Sequence, residues 1–223
     1  LNSDAMLVSD TVAGLHAFLE KNPGYAAAGP GVLLPDGTRQ PKICGGLPTL
    51  RRVANDALLL SALFPGAGAF QGMHMDRPTA NITPVGWLSG VCMLIRREAF
   101  EAAGGFDERF FLYAEDMDLC RRLGDQGWKL AHVDDFPVIH ERGGSAASAA
   151  DIIRNSVLQQ KYFLTMLAQM FGRRQLAAAR LLMLSGLALR VVAGLIMKLG
   201  PAKRRGLLLE TSVARLKALW GKG

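Results

Sequence analysis

Apolar positions Val12, Leu15, Phe18 and Leu19 recur at helical spacing, with Asp10 placed to cap the segment and Asn22-Pro23-Gly24 to end it. Tyr25 to Leu34 reads as a short strand region interrupted by Gly29-Pro30-Gly31, and Pro35-Asp36-Gly37 reads as a turn. From Thr38 to Pro84 the pattern is irregular, with one helix near Val53–Leu63 and a Gly/Met-rich loop from Pro65 to Pro78. Val91 to Ile95 is an unbroken apolar run that predicts a buried strand. Arg96 to Ala103 predicts a short helix stopped by Gly104-Gly105. An acidic helix follows from about Glu115 to Leu123, then a strand Trp128–Val133, a turn at Asp134-Asp135 and a strand Phe136–His140. Strand and helix alternate, so the expected class is α/β, without internal repeats.

Beyond Gly143-Gly144-Ser145, which open a linker, the pattern changes. Leu181–Leu189 and Val191–Met197 are apolar runs separated by Arg190 and bounded by Arg180 and Lys198. At helical spacing this predicts a basic stripe beside a broad apolar surface. Gly200-Pro201 breaks that helix, and a second basic amphipathic stretch runs from Lys203 to Lys222. Charge follows the same division. Of the net +7, residues 1–150 hold 13 Lys/Arg against 17 Asp/Glu, whereas 151–223 hold 13 against 2. The expected boundaries are therefore 1–148 for the α/β portion and 149–223 for a basic helical, membrane-associating region. Such helices lie in the headgroup layer of an anionic membrane surface. A transmembrane span would carry Arg190 near mid-bilayer, and a helical pair packed on its own domain is a further alternative. Few aromatics and long apolar runs argue against a nucleic-acid partner.

Three widely spaced cysteines, Cys44, Cys92 and Cys120, indicate neither a disulfide framework nor a zinc site and fit a reducing compartment. The chain begins Leu1-Asn2-Ser3-Asp4 without a signal-peptide pattern, which suggests that an N-terminal portion is missing. No Gly-rich phosphate loop of the GxGxxG or Walker type is present. The densest chemistry lies in Phe110-Phe111-Leu112-Tyr113-Ala114-Glu115-Asp116-Met117-Asp118, an apolar run that meets three carboxylates at a helix start. Crowded acids push their pKa values apart, which suits acid–base work or metal handling. The plainer reading is an acidic first turn that only caps the helix. His140 ends a strand, where functional side chains of open α/β sheets gather, although a lone strand-end histidine is more often structural.

Taken in order, several segments together resemble the family 2 inverting glycosyltransferases, especially bacterial rhamnosyltransferase-like and galactofuranosyltransferase-like members. The resemblance covers about residues 1–145: Leu1-Asn2-Ser3-Asp4, Gly29-Pro30-Gly31 with Pro35-Asp36-Gly37, and Trp87-Leu88-Ser89-Gly90 through Arg96-Arg97-Glu98-Ala99-Phe100. Gly104-Gly105-Phe106-Asp107, Glu115-Asp116-Met117-Asp118 and His140 with Gly143-Gly144-Ser145 complete it.

The resemblance implies a GT-A fold, a Rossmann-like nucleotide-diphospho-sugar transferase domain missing its N-terminal part, followed by basic amphipathic C-terminal helices. It implies Mg²⁺ or Mn²⁺ as cofactor, with Asp4 and His140 as metal ligands. Asn2 stands where the family's first metal-site acid would be. Asp116 is then the catalytic base with Glu115 as its neighbour, and Trp87, Ser89, Gly90 and Asp118 lie at the substrate. Gly86 stands where many relatives carry an acid before the tryptophan. The implied activity is transfer of a hexosyl or rhamnosyl group from a nucleotide-sugar donor to a lipid-linked or polysaccharide acceptor of the cell envelope. The implied location is the cytoplasmic face of a bacterial inner membrane, attached peripherally. Without the family's base-recognition half, this stretch alone is expected to be weakly active or inactive. The alternative is a degenerate, non-catalytic domain that binds glycan or a partner.

Overall fold

The computed structural model describes residues 1–8, 10–75, 80–110, 113–141, 148–196 and 202–220. Their contacts divide into two compact units, the first from the described residues of 1–47, 74–111 and 115–144, the second from those of 48–73, 112–114 and 145–223.

The first unit is organised by one long strand. Its elements in chain order are β1 (Ala5–Leu7), α1 (Thr11–Lys21), β2 (Tyr25–Leu33), β3 (Cys44–Gly45), β4 (Ile82–Val85), β5 (Trp87–Leu88), β6 (Leu94–Ile95), α4 (Arg97–Ala102), α5 (Glu115–Asp125) and β7 (Lys129–His140). The order of the main sheet is β1-β7-β2-β6, with β4 also on β7. β2 pairs parallel to β7 from Tyr25↔Lys129 to Leu33↔Ile139. The opposite edge of β7 is shared between two antiparallel partners. β4 takes its first half, from Val85↔Leu130 to Ile82↔Val133. β1 takes its end, from Leu7↔Val138 to Ala5↔His140.

Two interruptions expected from the sequence are absent for one shared reason. β2 runs unbroken through Gly29-Pro30-Gly31, and Asp134-Asp135 lie inside β7 rather than in a turn. The register passes from Pro30↔Val133 to Val32↔Val138, so β7 carries three extra residues against β2. A bulge absorbs residues that would otherwise end a strand, and Pro30 and Pro137, which lack an N–H, flank or occupy it. Gly31 faces this bulge closely. A Cβ there would lie 2.7 Å from Asp134 Oδ1.

Of the α1 face foreseen from its spacing, three residues pack and Val12 stays exposed. Leu15, Phe18 and Leu19 are buried over Ala28, Ala131 and Val133, with Tyr25, Leu94 and Phe136 at the margin. The predicted strand Val91–Ile95 shrinks to Leu94–Ile95, while Val91 and Cys92 are buried in a turn. Arg96 fastens this turn to the helix end, donating from Nε to Tyr25 O (2.9 Å) and from Nη2 to Leu19 O. β3 and β5 form a separate two-stranded pair, Cys44↔Leu88 and Gly45↔Trp87.

The second unit is helical: α2 (Leu50–Ala57), α3 (Leu60–Leu63), α6 (Ala149–Met170), α7 (Arg173–Ile196) and α8 (Ala202–Trp220). The helix expected over Val53–Leu63 is broken in two because Leu59 adopts φ +62°. Val53, Leu167 and Ala179 are buried together, with Phe163, Leu176 and Met183 packed on them. Gly186 lets α7 approach α2 so closely that a Cβ there would lie 2.2 Å from Ala57 O. One turn on, Arg190 donates to Ala57 O (2.8 Å), Asp56 O (2.9 Å) and Gly186 O (2.9 Å). The guanidinium thus caps the C-terminal carbonyls of α2, where a cation is favoured. It therefore faces inward instead of extending the basic stripe foreseen along α7; Lys198, the end of that stripe, lies outside the described residues.

Gly186→Ala should lower stability to urea by about 1–3 kcal/mol, because the new methyl meets a backbone carbonyl. Gly124→Ala in α5, with nothing within 4 Å of the added carbon, should be neutral or stabilise by up to about 1 kcal/mol.

Candidate active site

The N-terminal residues and the end of β7 meet because β1 pairs antiparallel with β7. With Ala5 opposite His140, the residue before β1 falls beside the residue after β7, and Glu141 N donates to Asp4 O (2.9 Å). On the side-chain level His140 Nε2 lies 3.0 Å from Asp4 Oδ1 and 3.5 Å from Asn2 Nδ2. His140 Nδ1 lies 2.7 Å from Gln40 Oε1. His140 is buried and Asp4 is partly exposed, so the pair has one solvent-facing side.

Backbone hydrogen bonds lead from this pair to the acidic helix. Asn2 N donates to Val91 O (2.9 Å), and Gly90 N, one residue earlier, donates to Asp116 Oδ2 (2.9 Å). Asp116 Oδ1 accepts from Met117 N at 2.7 Å. Both oxygens are thereby oriented by the backbone, each with a further lone pair to offer. Glu115 and Asp116 open α5 and are half-buried. The two residues before them, Tyr113 and Ala114, have φ of +71° and +69°. Consecutive non-glycine residues in the left-handed region are strained, and such strain concentrates at functional sites.

Two opposed effects act on these acids. A helix N-terminus and backbone N–H bonds favour the carboxylate, whereas burial favours the protonated acid. Burial wins at both positions. It raises the Asp116 pKa above its ordinary 3.8 despite the Gly90 and Met117 hydrogen bonds. It raises that of Glu115 above 4.5, with a further push from the Asp116 charge. Among the described residues, the buried Glu115 Oε2 has no hydrogen-bond partner.

The other residues singled out in the sequence stand differently. Ser89 flanks Gly90, its N–H donating to Ile43 O (2.8 Å). Trp87 is buried on β5, edge-to-face with His74 at 5.4 Å, and so packs in the core instead of lining a surface. Asp118 is wholly buried, its oxygens taken by Arg121 Nη2 (2.9 Å) and Arg122 Nε (2.8 Å). It anchors the helix and is not presented to a ligand. Gly143-Gly144-Ser145 lie outside the described residues. Gln40 was missed from the sequence. Its only signal is the Pro35-Asp36-Gly37 turn, which returns the chain along β2.

Asp4 and His140 are the residues able to hold a cation. Among the described residues no group of three or more His, Cys, Asp or Glu side chains converges. One carboxylate and one imidazole are still a fitting donor set for Mg²⁺ or Mn²⁺, which commonly complete their shells with waters and substrate phosphate oxygens.

The family model described as glycosyl transferase family group 2 matches residues 63–212. An N-acetylglucosaminyl-diphospho-decaprenol L-rhamnosyltransferase of Mycobacterium tuberculosis is 40% identical over 123 residues, covering 55% of this chain and 39% of the relative. Rhamnosyltransferase WbbL of Escherichia coli K12 is 45% identical over 58 residues, covering 26% of this chain and 22% of the relative. An O-antigen biosynthesis protein, RfbC, of Myxococcus xanthus is 42% identical over 69 residues, 30% of this chain and 5% of that protein. The chain thus spans about two fifths of the mycobacterial relative and less of the others.

Asp118→Ala should cost about 3 kcal/mol, because it leaves two arginines without their buried partner; chemical denaturation measures it. The folded chain holds the Glu115 and Asp116 protons more tightly than the unfolded chain does. Their contribution to stability is therefore present at acid pH and lost as pH rises from the ordinary values of 3.8 and 4.5 through the raised ones. Urea unfolding at stepped pH should show a shallower decline for Glu115→Gln than for the unsubstituted protein, and equal slopes would contradict the assignment.

Proposed function

Because the chain belongs to glycosyl transferase family group 2, we propose that it carries the metal and base half of an inverting, rhamnosyltransferase-like enzyme. The proposed donor is a nucleotide-sugar, and the proposed acceptor is a lipid-linked saccharide of the cell envelope, as the mycobacterial relative's name suggests. The observation that carries this reading is Asp116, held at Oδ2 by the Gly90 N–H and raised in pKa by burial. A backbone path joins it to the Asp4–His140 pair.

A sugar hydroxyl is a weak nucleophile. Asp116 takes its proton as the oxygen attacks the anomeric carbon, and a raised pKa makes the carboxylate a stronger base than an ordinary aspartate. Glu115 stands next to it at the helix start, its own pKa raised by burial and by the Asp116 charge. A single displacement inverts the anomeric centre and uses one base, with no paired nucleophile. Asp4 and His140 would hold a divalent cation, which when bound neutralises charge on the diphosphate leaving group.

The helical unit supports attachment to an anionic membrane surface at the cytoplasmic face. Arg173–Val192 is long and apolar enough to cross a membrane by length and composition. However, Arg190 within this stretch is committed to the α2 carbonyls, and burial still lowers its pKa, so its desolvation is offset only in part. That favours a helix lying in the interface over one that spans it. Leu181, Leu189 and Val192 are exposed along one side of α7. A shallow concavity of about 350 Å³ joins Arg173 and Arg180 to Leu176, Leu181 and Leu184, which suits a phosphate headgroup with an apolar chain.

In the full-length enzyme, Asp116→Asn should lower kcat about 100-fold or more while leaving donor affinity near its original value; turnover at the original rate would instead favour the degenerate, non-catalytic reading. Replacing Leu181, Leu189 and Val192 with aspartate should abolish co-sedimentation with anionic vesicles. Undiminished sedimentation would exclude α7 as the contact.

A further inference from the structure

His140 is contacted at both ring nitrogens, and the two contacts have different meanings. We propose that Gln40 is a positioning residue of the cation site. Its side-chain carbonyl accepts the Nδ1 proton of His140 and so turns the Nε2 lone pair toward the space that Asp4 also faces. The inference rests on the reading of Asp4 and His140 as cation ligands.

A neutral imidazole carries one N–H. In the tautomer that carries this proton on Nδ1, it is donated to Gln40 Oε1, 2.7 Å away, and Nε2 presents its lone pair. Asp4 Oδ1, 3.0 Å from Nε2, presents lone pairs only. In that tautomer two acceptors converge at hydrogen-bond distance, with the Asn2 amide 3.5 Å from Nε2 on the same side. Convergence of this kind suits a cation. A histidine ligand whose second nitrogen is bound to a carbonyl has its ring and tautomer set in advance, and removing such outer partners weakens metal sites.

Gln40 is itself built into the fold. Its N–H donates to Val32 O (2.9 Å), and Arg39 beside it bridges to Leu33 and ion-pairs with Asp134 of β7. The turn between is closed by Asp36 Oδ1, which accepts from Thr38 N (2.9 Å) and Thr38 Oγ1 (2.6 Å). Leu33 pairs with Ile139, next to His140, so the hairpin delivers the Gln40 amide to the Nδ1 side of the ring. A neutral amide supplies the acceptor without adding negative charge where a diphosphate would bind.

The test uses Mn²⁺ binding followed by electron paramagnetic resonance, and imidazole ¹⁵N NMR at about pH 8.5, where an ordinary imidazole is neutral. The unsubstituted protein, Gln40→Leu, Gln40→Glu and Asp4→Asn are compared. Gln40→Leu should weaken Mn²⁺ affinity about tenfold or more and move the His140 ring toward the Nε2–H form. Gln40→Glu, which keeps an acceptor, should retain both the affinity and the Nδ1–H form. Original affinity and tautomer in Gln40→Leu, or equal losses in Gln40→Glu and Gln40→Leu, would overturn the inference. Absence of Mn²⁺ binding by the unsubstituted protein, or binding unaffected by Asp4→Asn, would remove the cation reading itself. Loss in Asp4→Asn with none in Gln40→Leu would remove only the role of Gln40.

Discussion

The antiparallel pairing of β1 with the last residues of β7 is the constraint on which the site depends. Three residue pairs, from Ala5↔His140 to Leu7↔Val138, bring together side chains 136 positions apart in the chain. Side chains alternate across a sheet with period two, so a slip of one residue would turn His140 to the opposite face. β7 holds its register because both of its edges are occupied, by β2 on one side and by β4 and β1 on the other. The bulge at Asp134–Pro137 allows the first and last parts of β7 to satisfy different partners without a break.

The acidic helix shows a competition decided by magnitude. A helix N-terminus with three carboxylates in its first turn would ordinarily hold them ionised. The fold then separates their duties. Asp118 goes fully inside with two arginines, and Asp116 is held by backbone N–H groups. Among the described residues, Glu115 is left with an unpaired oxygen. The positive φ angles at Tyr113 and Ala114 direct the chain into this turn. Strained backbone and desolvated acids are costs of the kind that concentrate at functional sites.

In the helical unit, Gly186 and Arg190 act together. The missing side chain permits close approach of α7 to α2, and the guanidinium then reaches the last carbonyls of α2. Burial lowers the Arg190 pKa, with partial relief from Asp56, yet three carbonyl acceptors keep the cation solvated by protein in place of water. One side of α7 is consumed by this contact, while Leu181, Leu189 and Val192 remain outside.

Periodicity alone determined the α/β class, most of the buried face of α1 (Leu15, Phe18 and Leu19, though not Val12), the acidic helix and the basic, apolar character of the C-terminal helices, because each depends on neighbours a few residues apart. The expected roles of Asp4, Asp116 and His140 came from the family resemblance and not from periodicity. Local rules interrupted β2 and β7 from within, since Pro30 and Asp134-Asp135 break isolated strands but are absorbed by a bulge that exists only once both strands are paired. They equally could not separate Asp116 from Asp118, or see that Trp87 turns into the core and Arg190 onto α2. Nor could they connect Gln40 with His140. Those assignments depend on burial and on partners distant in the chain, and only the tertiary structure decided them.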